Sequence, residues 1–288
     1  MLMNLIYART ALLTLVTMLA FAGNSVLCRL ALKHTTIDAA TFTSIRLVSG
    51  AVVLWLIVRF TRAGRTGVGN WWSALALFVY AAGFSLAYVS LNAATGALLL
   101  FGSVQATMIG RAIWQGERLS RLQWLGIVLA LAGLVGLMLP GLAAPPLLGA
   151  ALMLSAGAAW GVYSLRGKGV GDSTLVTAGN FWRAAVMALA LSGAMQISSL
   201  LNASWDAAGV VYALASGSVT SGLGYALWYS VLPSFKATQA ATIQLSVPVI
   251  AALAGVALLG EVMTEQFVLA SAATLGGIAL VIWGKRTS

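Results

Sequence analysis

Ten times along this chain, a run of about twenty mostly apolar residues is followed by a short polar or Gly/Pro-containing break. A helix of that length crosses the ~30 Å hydrocarbon core of a bilayer, because each residue rises ~1.5 Å. The runs fall near 10–32, 38–59, 71–91, 94–114, 121–140, 147–165, 175–199, 208–231, 237–260 and 265–284. The third and fourth are separated only by "LNAAT". Composition leads the same way: 8% of the 288 residues are charged, against roughly 25% in soluble domains. So few polar side chains cannot cover the surface of a soluble fold this large. The reading is an all-α polytopic membrane protein. Its first run, from Ala11 to about Leu32, is long enough to span and lacks a clear small-residue cleavage site, so it reads as a retained helix.

The net charge of +10 is explained by where the basic residues lie, and nucleic acid need not be invoked. If the loops alternate between two sides, one side collects Arg9, Arg59, Arg62, Arg65, Arg111, Arg118, Arg121, Arg166, Lys168, Lys236, Lys285 and Arg286. The other collects Lys33, with Asp38, Asp206, Glu261 and Glu265 near its edges. Lys and Arg accumulate in cytoplasmic loops, so both termini are expected in the cytoplasm, as an even number of spans requires. The compartment expected is the bacterial inner (plasma) membrane.

The chain also repeats itself. At an offset of 137, Arg29 matches Arg166, Thr43 matches Asn180 and Arg46 matches Arg183. At an offset of 144, "LAGLVGLML" (131–139) lies over "LGGIALVIW" (275–283) and Glu117 over Glu261. Two units of five helices follow, 1–141 and 147–288, joined by "PGLAAPP". Five is odd, so the second unit enters the membrane inverted relative to the first. Inverted repeats of this kind build transporters whose substrates bind near the midplane, where the halves meet.

The Asn24 and Arg29 of "FAGNSVLCR", the "GE" after the fourth and ninth helices, "FGSVQATMIG" and "WQGERLS" resemble the drug/metabolite transporter superfamily of EamA type. Within it they look most like the YddG branch of aromatic amino-acid exporters. The resemblance covers essentially the whole chain and implies a carrier of aromatic and other neutral amino acids. One departure stands out. The ninth helix carries Pro248, where the fourth has Val104, so a proline hinge would serve one half only.

Helical spacing groups the polar and aromatic residues inside the spans. Thr14, Thr17, Phe21, Asn24 and Cys28 form one stripe on the first helix. Tyr80, Phe84 and Tyr88 repeat every four residues on the third, Trp160 and Tyr163 lie three apart on the sixth, and Ser218, Ser221, Tyr225 and Trp228 follow on the eighth. A solute pathway needs such seams; helix-to-helix hydrogen bonding and interfacial aromatic belts are the other uses of these residue types. Trp71, Trp72 and Trp283 stand at span ends and read as belt. Asn24, well inside its span, must face protein, water or substrate, as a substrate ligand or a bridge to another helix.

Arg46 and Arg183 each sit about eight residues inside a span, about 12 Å deep by helical rise. A guanidinium at a span's centre costs about 2.5–3.5 kcal/mol on the insertion scale, and snorkelling lowers that. The two are either snorkelling residues or working charges, as carboxylate ligands or gate elements. Inversion of the repeats would set them near opposite faces. Arg29 and Arg166 lie near span ends and read as topology residues.

All six carboxylates, Asp38, Glu117, Asp172, Asp206, Glu261 and Glu265, fall in loops or at helix ends. A buried acid that trades its proton for a cationic drug is therefore not expected. One Cys and one His exclude multi-cysteine metal sites and histidine clusters within one chain. No P-loop, HExxH, GxSxG or dinucleotide turn is present, so neither an enzyme nor a cofactor is expected. Gly126, Gly133, Gly276 and Gly277 suggest close packing of the fifth and tenth helices. The expected function is a monomeric secondary transporter, exporting small neutral amino acids or related metabolites through a central cavity. An exchanger of anionic metabolites, such as sugar phosphates or nucleotide sugars, and a non-transporting channel or scaffold are the alternatives.

Overall fold

In a computed structural model of the chain, residues 2–61, 68–91, 93–138, 146–168, 171–197, 206–259 and 265–284 are described. These residues form ten helical rods, with no strand among them. The first seven are α1 (Leu2–His34), α2 (Ala39–Thr61), α3 (Trp71–Ser90), α4 (Ala93–Trp114), α5 (Arg121–Met138), α6 (Leu147–Gly167) and α7 (Ser173–Ile197). α8 is composite: Ala207–Ala215 is α-helical, Ser216–Leu223 is π-helical, and Gly224–Val231 is α-helical again. α9 comprises Ala237–Gln244 and Ser246–Leu259 on either side of Leu245, and α10 is Glu265–Trp283. Six of these rods, α1, α2, α3, α6, α7 and α8, contain stretches long and apolar enough to cross a membrane. Arg62, Arg65, Glu261, Lys285, Arg286 and most of the "PGLAAPP" segment lie outside the described residues.

The carboxylates explain how several rods begin. Asp38 accepts the Ala40 and Thr41 amides at 3.0 and 2.9 Å and starts α2. Asp172 accepts from Leu175 N at 3.2 Å to start α7, and Asp206 from Gly209 N at 2.9 Å to start α8. Each neutralises an orphan amide and favours the positive end of the helix dipole. Asn70 does the same for α3 without a charge, accepting from Ser73 N at 2.8 Å.

α3 and α6 run antiparallel and α4 and α6 parallel, and contacts gather at the two ends of the bundle. At one end, Arg166 at the close of α6 donates to Asn70 and Ser73 at the start of α3, at 3.1 and 3.0 Å. There too Thr238 of α9 donates to Glu117, just beyond α4, at 2.7 Å. Arg111, Arg166, Lys168 and Lys236 thus lie on one face. At the other end, Gly209 lies against Thr35 and Ile37, and Gly149 against Ser90 and Leu91.

Packing follows a regular scheme. α5 lies on α10, α2 on α7 and α4 on α9; α3 and α4 pack on α6, as α8 and α9 pack on α1; α3 touches α7, as α8 touches α2. Advancing every helix number by five returns the same scheme. Two contacts are backbone-close. A Cβ on Gly126 would sit 2.7 Å from the Gly277 carbonyl, so these two glycines let α5 and α10 touch, while Gly276 faces open space. A Cβ on Gly217 would fall within 2.1 Å of the Arg46 carbonyl oxygen, so the π-helical turn of α8 lies directly on α2. Small residues of this kind are what lets helices pack in a bilayer without help from water.

Candidate functional site

The centre of the bundle is built where α1, α2, α3, α6 and α8 meet, and its polar residues come from four of them. Asn24 of α1 is 2% exposed. Its Nδ2 donates to Tyr80 Oη at 3.4 Å, and its Oδ1 accepts from Ser216 Oγ and, at 3.5 Å, from Thr220 Oγ1. Arg46 of α2 is 1% exposed. Its Nε donates to Ser221 Oγ at 2.9 Å and its Nη2 to Tyr225 Oη at 2.8 Å and Tyr80 Oη at 3.4 Å. The guanidinium also stands 5.3 and 5.7 Å from the Tyr80 and Phe84 ring centroids. Its partners among the described residues are hydroxyls and rings, with no carboxylate. Its Nη1 is buried with no hydrogen-bond partner among the described groups.

Such a charge is held in place without being neutralised. Hydroxyl dipoles and aromatic faces offset part of the cost of burying the guanidinium. They leave the positive charge and one donor group available to an anionic group brought from outside.

Around this centre runs a column of aromatic rings. Tyr88 meets Phe84 at 4.7 Å, Phe84 meets Tyr80 at 5.7 Å, and Tyr80 meets Trp160 at 5.0 Å. Trp160 meets Tyr225 at 4.7 Å and Tyr163 at 5.9 Å, and Tyr163 meets Tyr229 at 5.4 Å. Phe21 closes one side, within 5.9 Å of the centroids of Trp160, Tyr225 and Trp228. Trp160 is fixed by its Nε1, which donates to Gln244 Oε1 at 2.5 Å, one residue before the break in α9. The column ends in Tyr229, which lines a pocket of about 220 Å³ together with Asn70, Ser73, Arg166 and Asn180. A second pocket at the same end, of about 790 Å³, carries Arg111, Arg166, Lys168 and Lys236. Faces of rings therefore lead from a buried cation to a mainly basic mouth that Glu117 also lines.

Of the residues singled out by spacing, Phe21, Asn24, Tyr80, Phe84, Tyr88, Trp160, Tyr163, Ser221, Tyr225 and Trp228 are all buried in this one assembly. Thr17 is buried as well, but its hydroxyl donates to the Leu13 carbonyl of its own helix at 2.7 Å. Ser218 bonds to its own helix at Leu214 O, away from the centre. The π-helical turn is the reason, because it holds an extra residue and shifts the register, turning Ser216, Thr220 and Ser221 inward. Ser216, Thr220, Phe181, Tyr229 and Gln244 were not picked out by spacing, although "SGSVTSG" and a Gln inside an apolar run were available signals.

Arg183 stands elsewhere. Its Nη1 donates to Gly179 O at 2.8 Å and Val68 O at 3.3 Å, and the guanidinium lies 5.7 Å from the Trp71 ring. It shares no partner with Arg46. Ten residues separate it from the start of α7, yet it lies level with the first turn of α3, because α7 extends past the α2–α3 loop. Gly69 shapes that loop with a φ of +103°, a conformation that other residues adopt only under strain. Trp71, Trp72 and Trp283 are exposed, as an interfacial belt requires.

A protein of Pseudomonas aeruginosa, the uncharacterized protein PA1977, is 54% identical over 279 residues, covering 95% of this chain and 94% of its own. A solved crystal structure has a similar fold, with a TM-score of 0.78 at 18% identity over 97% of this chain and 99% of that one. The sequence model of the EamA-like transporter family matches residues 8–139 and again residues 147–283. This chain belongs to the EamA-like transporter family, and so to the drug/metabolite transporter superfamily.

Proposed function

We propose that the protein is a secondary transporter of the bacterial inner membrane that exports small neutral amino acids, aromatic and apolar ones foremost, by alternating access through the central chamber. The observation that carries this reading is Arg46, a buried guanidinium with one nitrogen unengaged, set inside a column of aromatic rings. A carboxylate would complete Arg46, Asn24 Oδ1 would accept an ammonium proton, and a flat or branched side chain would lie against Trp160 and Tyr80. The distinctive YddG-like stretches "FGSVQATMIG" and "WQGERLS" support the same substrate class.

The proposed architecture is two inverted five-helix repeats, 1–141 and 147–288, with both termini cytoplasmic. Separate family matches to each half support it, as does a packing scheme that is unchanged when every helix is advanced by five. Collection of Arg111, Arg166, Lys168 and Lys236 around one mouth supports a cytoplasmic placement of that end. The absence of a carboxylate from the central cluster, among the described residues, argues against coupling through a midplane acid.

Counterflow in proteoliposomes tests the reading. Saturable exchange of tryptophan or phenylalanine is expected, reduced most in Arg46→Gln and strongly in Asn24→Ala and Tyr80→Ala. Wild-type flux in both alanine variants would remove the chamber assignment. The basic mouth favours one other reading, an exchanger of anionic metabolites. Phosphate-ester exchange without amino-acid counterflow would establish it, and flux without saturation would indicate a channel.

A further inference from the structure

On the outer surface of the bundle, α2 and α7 border a groove of about 650 Å³. Its walls are Val52, Trp55, Trp182 and Val186, with Trp71 at the mouth and Arg183 as its one charged residue among the described ones. Trp55, Trp71 and Trp182 are 52%, 57% and 63% exposed, so the groove opens outward, where acyl chains lie in a membrane. It is formed by the second half of α2, the first half of α7 and the first residue of α3. At its polar end the Arg183 guanidinium is aimed by Gly179 O, Val68 O and the Trp71 face. No carboxylate is among its partners in the described residues. Gly179 permits this arrangement, since a Cβ there would overlap the Val68 carbonyl oxygen.

We propose that this groove binds an anionic phospholipid, with its phosphate on Arg183 and one acyl chain along Val52, Trp55, Trp182 and Val186. Charge complementarity selects this occupant. An apolar slot is filled by some lipid tail in any bilayer, but a fixed cation at headgroup depth, unmatched by a protein carboxylate, distinguishes an anionic headgroup from a zwitterionic one. The site is independent of the transport reading. Arg183 is then the lipid-facing counterpart of the chamber-facing Arg46.

Native mass spectrometry of the full chain, released from micelles with equal phosphatidylglycerol and phosphatidylcholine of matched tails, tests it. The wild type should retain phosphatidylglycerol about fivefold over phosphatidylcholine, the selectivity of one arginine near an anionic surface. Arg183→Gln should bring that ratio to about one, and Arg183→Lys should keep most of it. Val186→Glu, which sets a carboxylate one helical turn from Arg183, should abolish the preference without removing the arginine, and so serves if Arg183→Gln does not fold. Retention of wild-type selectivity in either neutralising variant overturns the proposal. So does loss of selectivity in Arg59→Gln alone, which would mark a diffuse surface effect, or displacement of the lipid by soluble glycerol phosphate at equal concentration.

Discussion

Arg46 and Arg183 occupy matching places in the two halves of the sequence, and the folded chain gives them opposite surroundings. Arg46 is held by Ser221, Tyr225 and Tyr80 in the interior, its carbonyl pressed against Gly217. Arg183 is held by two backbone carbonyls and an exposed indole at the edge of an outward-opening groove. A residue recurring at the same offset does not inherit the same surroundings. What decides is which neighbour supplies its partners: hydroxyl-bearing α8 for one, a loop and an interfacial tryptophan for the other.

The comparison can be broken most directly at the arginines themselves. Arg46→Gln should lower transport at subsaturating substrate about 100-fold, within the range for truncating a buried, hydrogen-bonded charge. Arg183→Gln should stay within about fivefold, as exposed ion contacts do; equal losses in a proteoliposome assay would erase the distinction. Next come the glycines beneath them. Gly217→Ala forces a Cβ into a packed helix interface and should cost about 1–3 kcal/mol, seen as a lower Tm in detergent. Gly179→Ala drives a Cβ into the Val68 carbonyl oxygen and should lower Tm comparably, and a wild-type Tm in both variants would contradict these close approaches. Tyr225→Phe deletes one bond to a charged donor, about 1.5 kcal/mol, and should cut transport efficiency about tenfold with little change in Tm. Least of all, Trp71→Leu removes an exposed cation–π contact of about 0.5–1 kcal/mol; it should leave flux unchanged, and a transport defect there would draw Arg183 into the pathway.

Much of the fold was legible because membrane spans are set by length and apolarity, which composition shows directly. The expected limits of α2, α3, α4, α6 and α10 lie within two residues of those observed, and the chain does break at Leu91 within "LNAAT". The stripe through Phe21, Asn24 and Cys28 was legible because α1 is a regular helix, so a count of 3.6 per turn points true. On α8 the same count misplaced Ser218, since nothing in periodicity announces a π-helical turn. The partners of Arg183 were not legible for a different reason: Val68 and Trp71 reach it from another part of the chain, which spacing along α7 alone does not show. Gln244 was missed because it lies beside a break in α9 that "TIQLSVP" suggests only through Pro248.

The wide turn in α8 makes that rod a place where length and rotation are interchangeable. Removing one residue from Ser216–Leu223 would let the coil close to ordinary pitch with both flanking stretches aimed as before, because the surplus residue is what the wide turn absorbs. The same deletion within Ala207–Ala215 has no such slack and would rotate one flank against the other by about 100°, so that Tyr225 and Trp228 no longer face α1 and α6 while Ala207 stayed seated. Loss of one residue is therefore mild inside the wide turn and torsional beside it.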